Sequence, residues 1–289
     1  MWPPVQSLLS SCWVEELCER ALTLTGTSTF MNELHLKLQE ADPAGFLRLP
    51  DKTFLLQFWM TVRPLVEVVR LGLVPYKEGL RLQQVYVNRH RSAPVHALLL
   101  CQHSPVYTTG IRHKPYPGPF LDQLRLLGAD VHHTNRGGLI TFHGPGQLVC
   151  YPVLNLGSFK KSVRWYVSQL EKTIITLCGR FGVEAASSPH TGVWVGDNKI
   201  CAIGIHCGHY VTSHGLALNC NTDLSWFGHI VPCGIEGKGV TSLSRELQRD
   251  VSVQETIPHL LDAFRDQFNC QLTEGETPEP EQNFGVSSA

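Results

Sequence analysis

Cys233 stands between Pro232 and Gly234, and Lys199 lies 34 residues upstream at the head of the apolar run Ile200-Cys201-Ala202-Ile203-Gly204. A cysteine flanked by proline and glycine sits in a turn, where its sulfur can face a cleft rather than disappear into a helix or strand. A lysine at the mouth of an apolar run sheds part of its hydration and can act as a base or pair with a thiolate. A thiol with a neighbouring base is the minimum equipment for covalent acyl transfer. Each residue also has an ordinary explanation, since most cysteines are small buried hydrophobes and most turn lysines are solvated charge.

Two further constellations bear on the choice. The stretch Asn135-Arg136-Gly137-Gly138-Leu139-Ile140-Thr141-Phe142-His143-Gly144-Pro145-Gly146-Gln147-Leu148 reads as a glycine-rich loop whose backbone can approach a ligand closely. Arg136 could anchor a carboxylate, a phosphate or a partner surface, and His143 could orient a carbonyl or an amide. The spacing is neither of the two nucleotide-binding glycine patterns, so the stretch implies no nucleotide, and a plain turn between strands is the bland alternative. In Ser213-His214-Gly215-Leu216-Ala217-Leu218-Asn219, His214 and Gly215 could set an imidazole or bare backbone beside a substrate, although a satisfied core histidine is commoner. Leu216 and Leu218, with Ile203 and Ile205, could line a slot for an alkyl chain or simply fill a core.

Composition bounds what these residues can serve. The chain has 289 residues, 43% hydrophobic and 17% charged, which is ordinary for a soluble globular protein. A formal net charge of −1 argues against a nucleic-acid binder, which needs a basic surface. No run approaches the eighteen or so apolar residues that span a bilayer. Ten cysteines are present without any Cys-x-x-Cys pair, and Cys101, Cys150, Cys178, Cys201, Cys207 and Cys220 fall in apolar stretches. Free thiols in a reducing intracellular compartment fit that placement better than disulfides or a metal.

The elements that must position these residues form an α/β domain. Pro75 opens a helix through Tyr76, Leu80, Gln84 and Val87. A strand is expected from His96 to Cys101, a short helix over Phe120–Leu127 stopped by Gly128, and a strand over Gln147–Leu156. Val163, Val167, Leu170, Ile174, Leu177 and Phe181 recur at helical spacing up to Gly182. Thr191–Val195 and Lys199–Cys207, joined by Gly196-Asp197-Asn198, read as a hairpin, followed by a strand over His214–Cys220. Ser252 and Glu255 suggest a capping box for a helix through Phe268, with Pro258 placing its start alternatively near Ile257. Residues 1–59, with seven acidic and four basic residues, read as an extension outside the catalytic fold. Residues 60–272 read as the catalytic domain and 273–289 as an acidic, disordered tail. The segment Met60–Arg70 is a candidate start with a weak import signal.

Taken together, Arg136-Gly-Gly-Leu-Ile-Thr-Phe-His143-Gly-Pro-Gly-Gln147-Leu, Tyr151-Pro-Val, Thr191-Gly-Val-Trp194, Lys199-Ile-Cys-Ala-Ile-Gly204, His214-Gly-Leu-Ala-Leu-Asn219, Ile230-Val-Pro-Cys233-Gly and Gly239-Val-Thr-Ser-Leu resemble the octanoyltransferases of lipoate biosynthesis, of the bacterial B type and its mitochondrial counterpart. The resemblance spans about Val66 to Cys270. It implies the mixed-sheet α/β catalytic domain of the biotin and lipoate protein ligases. It also implies transfer of octanoate from octanoyl-acyl carrier protein, through a cysteine thioester, to a specific lysine of a lipoyl domain such as glycine-cleavage H protein.

By motif match the nucleophile is Cys233, and Lys199 lowers its pKa. Substrate contacts carry over to Arg136, Gly137, Gly138, Leu139, Ile140, Thr141, Phe142 and His143, to Ala202, Ile203 and Gly204, and to Gly215, Leu216 and Ala217. The resemblance implies a mitochondrial setting and neither cofactor nor metal. The nearest rival is an ATP-dependent lipoate or biotin ligase, which needs no cysteine. A cysteine thioesterase and a non-catalytic carrier-binding scaffold stand further off. Lys160, Lys161 and Arg164 form one candidate basic patch for an acidic carrier, Arg89 and Arg91 another, and either could be plain surface charge.

Overall fold

The computed structural model describes residues 63–92, 95–112, 116–231 and 237–277, apart from the side chains of Arg91 and Ser92. The expected extension over residues 1–59 and the residue Cys233 lie outside the described residues.

The first strand, β1 (Leu65–Val74), alternates buried Val66 and Val68 with half-buried or exposed neighbours, and Val69 is buried on the opposite side. It runs parallel to β2 (His96–His103), so a crossover is required, and helix α1 (Tyr76–Ser92) supplies it. The candidate import segment therefore runs into the sheet. Residues 65–70 are a strand between two neighbours, and removing them as a leader would take out that strand. The expected disordered tail over residues 273–289 does not include Thr273 and Glu274, which are strand. Strand β12 (Gln271–Glu274) pairs in parallel with β1, and Gly275 N–H donates to Val68 O at 2.9 Å. The backbone bonds along this edge hold Thr273 and Glu274 in the sheet despite their polar character.

Among the described residues one large sheet runs in the order β12-β1-β2-β6-β10-β9-β8-β7. Here β6 is Gln147–Val153, β7 Ala186–Ser187, β8 Val193–Val195, β9 Asn198–Gly208 and β10 Val211–Asn219. A short β11 (Gly239–Val240) pairs with the start of β9. The period of two along these strands builds two cores. Leu98, Leu100, Leu148, Cys150 and Leu218 pack with Leu170 and Ile174 of α3 (Val163–Arg180) and with Leu260 and Phe264 of α5 (Val253–Phe268). Ala97, Leu99, Cys101, Val149, Tyr151 and Ala217 meet Leu82 and Tyr86 of α1.

A second sheet of three strands has the order β4-β3-β5, formed by Val106–Thr109 (β3), Asp130–His133 (β4) and Thr141–His143 (β5). It closes over helix α2 (Gly118–Leu126) with Tyr107, Leu124, Ile140 and Phe142 as its core. The expected loop from Arg136 onward is thus partly strand, because Phe142 and its neighbours pair with β3. A short helix α4 (Leu243–Leu247) precedes α5. Helix α5 starts at Val253 rather than near Ile257, with Ser252 Oγ accepting from Glu255 N–H at 3.1 Å. Pro258 fits inside it because the carbonyl it leaves unbonded, that of Gln254, lies on the exposed side. The hairpin of β8 and β9 forms as expected, while β10 starts three residues before His214.

Seven described cysteines are free, and all but Cys207 are buried. Burial pushes the Cys178 and Cys220 thiols up to about 12 and raises Cys101 and Cys150 further. They are inert packing residues.

Candidate active site

A cleft opens on the α1 side of the large sheet. Its floor is Val149 and Tyr151 of β6 with Gly215, Leu216 and Ala217 of β10, and one wall is Ala202, Ile203 and Gly204 of β9. The two groups face each other in register, Gly215 opposite Gly204, Leu216 opposite Ile203 and Ala217 opposite Ala202. Arg136, Gly137, Gly138, Thr141 and His143 close the other side, and Tyr76 enters from the first turn of α1. Eleven of the expected substrate contacts therefore share one cleft. The expected contacts Leu139, Ile140 and Phe142 do not line it. Ile140 and Phe142 are buried in the core of the small sheet, and Leu139 lends its carbonyl to Arg136.

The Arg136 segment is laid on β9 by the bond from Gly137 N–H to Ile205 O, 2.9 Å. Gly204 permits this approach, for a Cβ there would sit 2.9 Å from Gly137 O and 3.1 Å from Arg136 Cδ. Arg136 is buried, and its guanidinium is turned onto the protein itself. Nη1 donates to Gly137 O at 2.9 Å, and Nη2 donates to Thr108 O, Thr108 Oγ1 and Leu139 O at 2.7, 2.8 and 3.0 Å. A planar five-donor fork suits that task. The described bonds make Arg136 an organiser of the loop more than an anchor for an anion.

His143 continues the same network. Thr108 Oγ1, already accepting from Arg136, is left to donate to His143 Nε2 at 3.3 Å, and His143 Nδ1 donates to Gln147 Oε1 at 2.7 Å. Gln147 Nε2 donates to Asn219 Oδ1, and Asn219 Nδ2 to Thr241 O, both at 2.9 Å. Thr241 N–H then donates to Lys199 O at 3.0 Å. The chain of bonds runs without a break from the Arg136 segment to the backbone of Lys199. Burial, with the charges of His103 and Arg136 adding to it, holds His143 down to about 3, so its ring is neutral.

His214 occupies a left-handed backbone conformation, φ 55°, at the point where β10 leaves its pairing with β6. Its N–H donates to Gln83 Oε1 at 2.6 Å and its Nε2 to Asn135 Oδ1 at 2.8 Å, which leaves Nδ1 as a buried acceptor without a described partner. Burial first, then Arg136, lowers its pKa to about 4. A strained residue beside a cleft is a common way to aim a side chain.

Lys199, the second residue of β9, is buried beside the cleft strands without lining the cleft. Its Nζ donates to Thr191 O at 3.2 Å and lies 4.7 Å from the centroid of the Trp194 ring. Tyr76, Val149 and Tyr151 are cleft residues that the sequence reading did not single out as contacts. The signals were present: Tyr76 follows the helix-opening Pro75, and Val149 and Tyr151 alternate on one face of β6. Tyr151 OH donates to His103 Nε2 at 2.7 Å, while His103 Nδ1 donates to Val74 O, so the ring is fixed in one tautomer.

The family model of the lipoyl protein ligase A/B catalytic domain matches residues 75–265. The architecture is similar to that of lipoate-protein ligase A bound with ATP, with a TM-score of 0.60 and 17% identity over 74% of this chain and 89% of that one. A bipartite lipoate protein ligase from Thermoplasma acidophilum matches with a TM-score of 0.60 and 17% identity over 75% of this chain and 88% of that one. The fold is that of the lipoyl protein ligase A/B catalytic domain. Within that class the chain is 65% identical over 211 residues to a mitochondrial octanoyl-acyl-carrier-protein:protein N-octanoyltransferase of Danio rerio, covering 72% of this chain and 94% of the relative. The human protein of that name is 50% identical over 75% of this chain and 99% of its own length. An octanoyltransferase of Caldanaerobacter subterraneus is 42% identical over 72% and 92%. The chain belongs to the octanoyltransferase family.

Proposed function

We infer that this chain is an octanoyl-acyl carrier protein:protein N-octanoyltransferase acting in the mitochondrion. The observation that carries this reading is its identity of 50–65% with vertebrate relatives of that name over nearly their whole length. For the finer chemistry we propose that Cys233 is the nucleophile and Lys199 its activating base. Lys199 takes the Cys233 proton, the thiolate attacks the octanoyl carbonyl, the carrier's sulfur leaves as its thiol by taking that proton back from Lys199, and an octanoyl thioester remains on the enzyme. The acceptor lysine's amine then attacks that thioester, Lys199 takes the amine's proton, and the Cys233 thiolate departs as the amide forms. The cleft between β9 and β10 suits an alkyl chain, with Ile203, Leu216 and Ala217 as its apolar contacts. The acceptors are lipoyl-domain proteins such as glycine-cleavage H protein.

The rival ligase reading makes the opposite demand on energy supply. A thioester donor already carries the free energy that amide formation needs, so transfer proceeds without ATP or magnesium. Incubation with octanoyl-acyl carrier protein and H protein, without nucleotide, is expected to add one octanoyl group to the H protein. Intact mass should show the same adduct on the wild-type enzyme before acceptor is added, and none on Cys233→Ala. A strict ATP requirement with free octanoate as donor would overturn the transferase reading. An adduct that persists in Cys233→Ala would overturn the assignment of the nucleophile.

A further inference from the structure

No acidic residue occurs from Val131 to Leu170, nor from Asn198 to Thr222. The fold brings these two stretches together at one place. Asn155 bridges to Val211, Leu156 N–H donates to Tyr210 O at 2.8 Å, and Lys161 Nζ lies 5.7 Å from the centroid of the Tyr210 ring. Tyr210 is the exposed tip of the β9–β10 hairpin, and Lys160, Lys161, Val163 and Arg164 are exposed around the start of α3. Several exposed cations elsewhere pair with carboxylates: Arg70 with Glu274, Arg125 with Asp122, Arg249 with Glu255. Among the described residues no ion pair forms at this face. The first turn of α3 contains no acidic residue and carries Arg164, although the amino end of a helix disfavours cations. Local stability alone would not select that arrangement.

The same two acid-free stretches supply every residue of the cleft except Tyr76. Tyr210 at the tip lies six positions along the chain from Gly204 in the cleft, about 20 Å at the rise of an extended chain. A carrier seated at the tip can reach the cleft only through a long flexible arm, which is how an acyl carrier protein presents its thioester. The second basic candidate lacks this support. Arg89 lies over the Tyr86 ring at 5.1 Å, and the Arg91 side chain lies outside the described residues.

We propose that the face formed by Lys160, Lys161, Arg164 and Tyr210 docks the acidic acyl carrier protein that delivers the thioester to the cleft. This rests on the transferase reading and adds to it the surface that selects the donor. Charge complementarity of this kind acts mainly on the encounter rate and fades with salt.

The test compares two donors of the same octanoyl group, octanoyl-acyl carrier protein and octanoyl-pantetheine, in wild type and in the combined variant Lys160→Glu, Lys161→Glu, Arg164→Glu. With the carrier, kcat/KM is expected to fall by roughly tenfold to a hundredfold at low salt. With octanoyl-pantetheine it should be unchanged. The milder combination Lys160→Gln, Lys161→Gln, Arg164→Gln should give a smaller, still carrier-selective loss. Unchanged use of the carrier in the charge-reversed variant would overturn the docking face. So would equal losses with both donors in the glutamine variant. A wild-type enzyme that uses neither donor would overturn the transferase reading itself, which keeps the two failures apart.

Discussion

At the residue scale the cleft depends on side chains whose polar groups are turned onto the protein. Arg136 holds three backbone carbonyls and one hydroxyl in a single plane of donors. Lysine keeps the charge but cannot reproduce the fork. Arg136→Lys is therefore expected to loosen the segment over β9 and to lower kcat/KM at least tenfold, at a cost in stability of about 1–3 kcal/mol for buried acceptors left unpaired. Steady-state kinetics with urea unfolding checks both, and activity within twofold of wild type would count against the organising role. The sequence made Arg136 visible as a charged residue among glycines, yet suggested an anion anchor. What it could not supply was the identity of the acceptors, because Thr108 comes from β3, a strand too short to announce itself.

At the element scale, the parts that were legible are those whose own spacing carries the signal. Helices α1, α3 and α5 and the β8–β9 hairpin could be read from period, proline and turn residues. The strands β3, β4 and β12 are short and partly polar, with buried positions decided by neighbours distant in sequence, so no local pattern betrays them. The same distance hides the relay that ties β6, β10 and β11 together through Gln147, Asn219 and Thr241. Asn219 fills both of its hydrogen-bonding ends inside the protein and is 4% exposed. Asn219→Leu should leave Thr241 O without that donor and cost about 1–3 kcal/mol. It should also disturb β11, whose neighbour Thr241 bonds the backbone of Lys199, and so lower turnover by more than the stability loss at working temperature explains. A variant as stable and as active as wild type would show that the relay positions nothing.

At the scale of the whole molecule, the polar centre of the fold depends on histidines that must stay neutral. Burial holds His96 and His143 down to about 3, and His103 and His214 to about 4, with neighbouring positive charge adding to the effect at His143 and His214. In the unfolded chain each would titrate near 6.5. Their folded-state values are thus depressed, so the folded state resists protons that the unfolded state accepts. The stabilisation is full above pH of about 6.5 and is lost as pH falls, His103 and His214 charging in the folded state at about 4 and His96 and His143 at about 3. Between those limits each histidine contributes a slope of up to about 1.4 kcal/mol per pH unit. Urea midpoints measured from pH 7.5 down to 4.5 should fall steeply below 6.5, before ordinary carboxylates begin to titrate. His96→Gln, which lies outside the cleft, should flatten that slope by about one proton's worth while leaving transfer activity at pH 7.5 near wild type. A stability that stays level from pH 6.5 to 4.5, or a slope indifferent to His96→Gln, would mean that these rings already share their protons with the folded state.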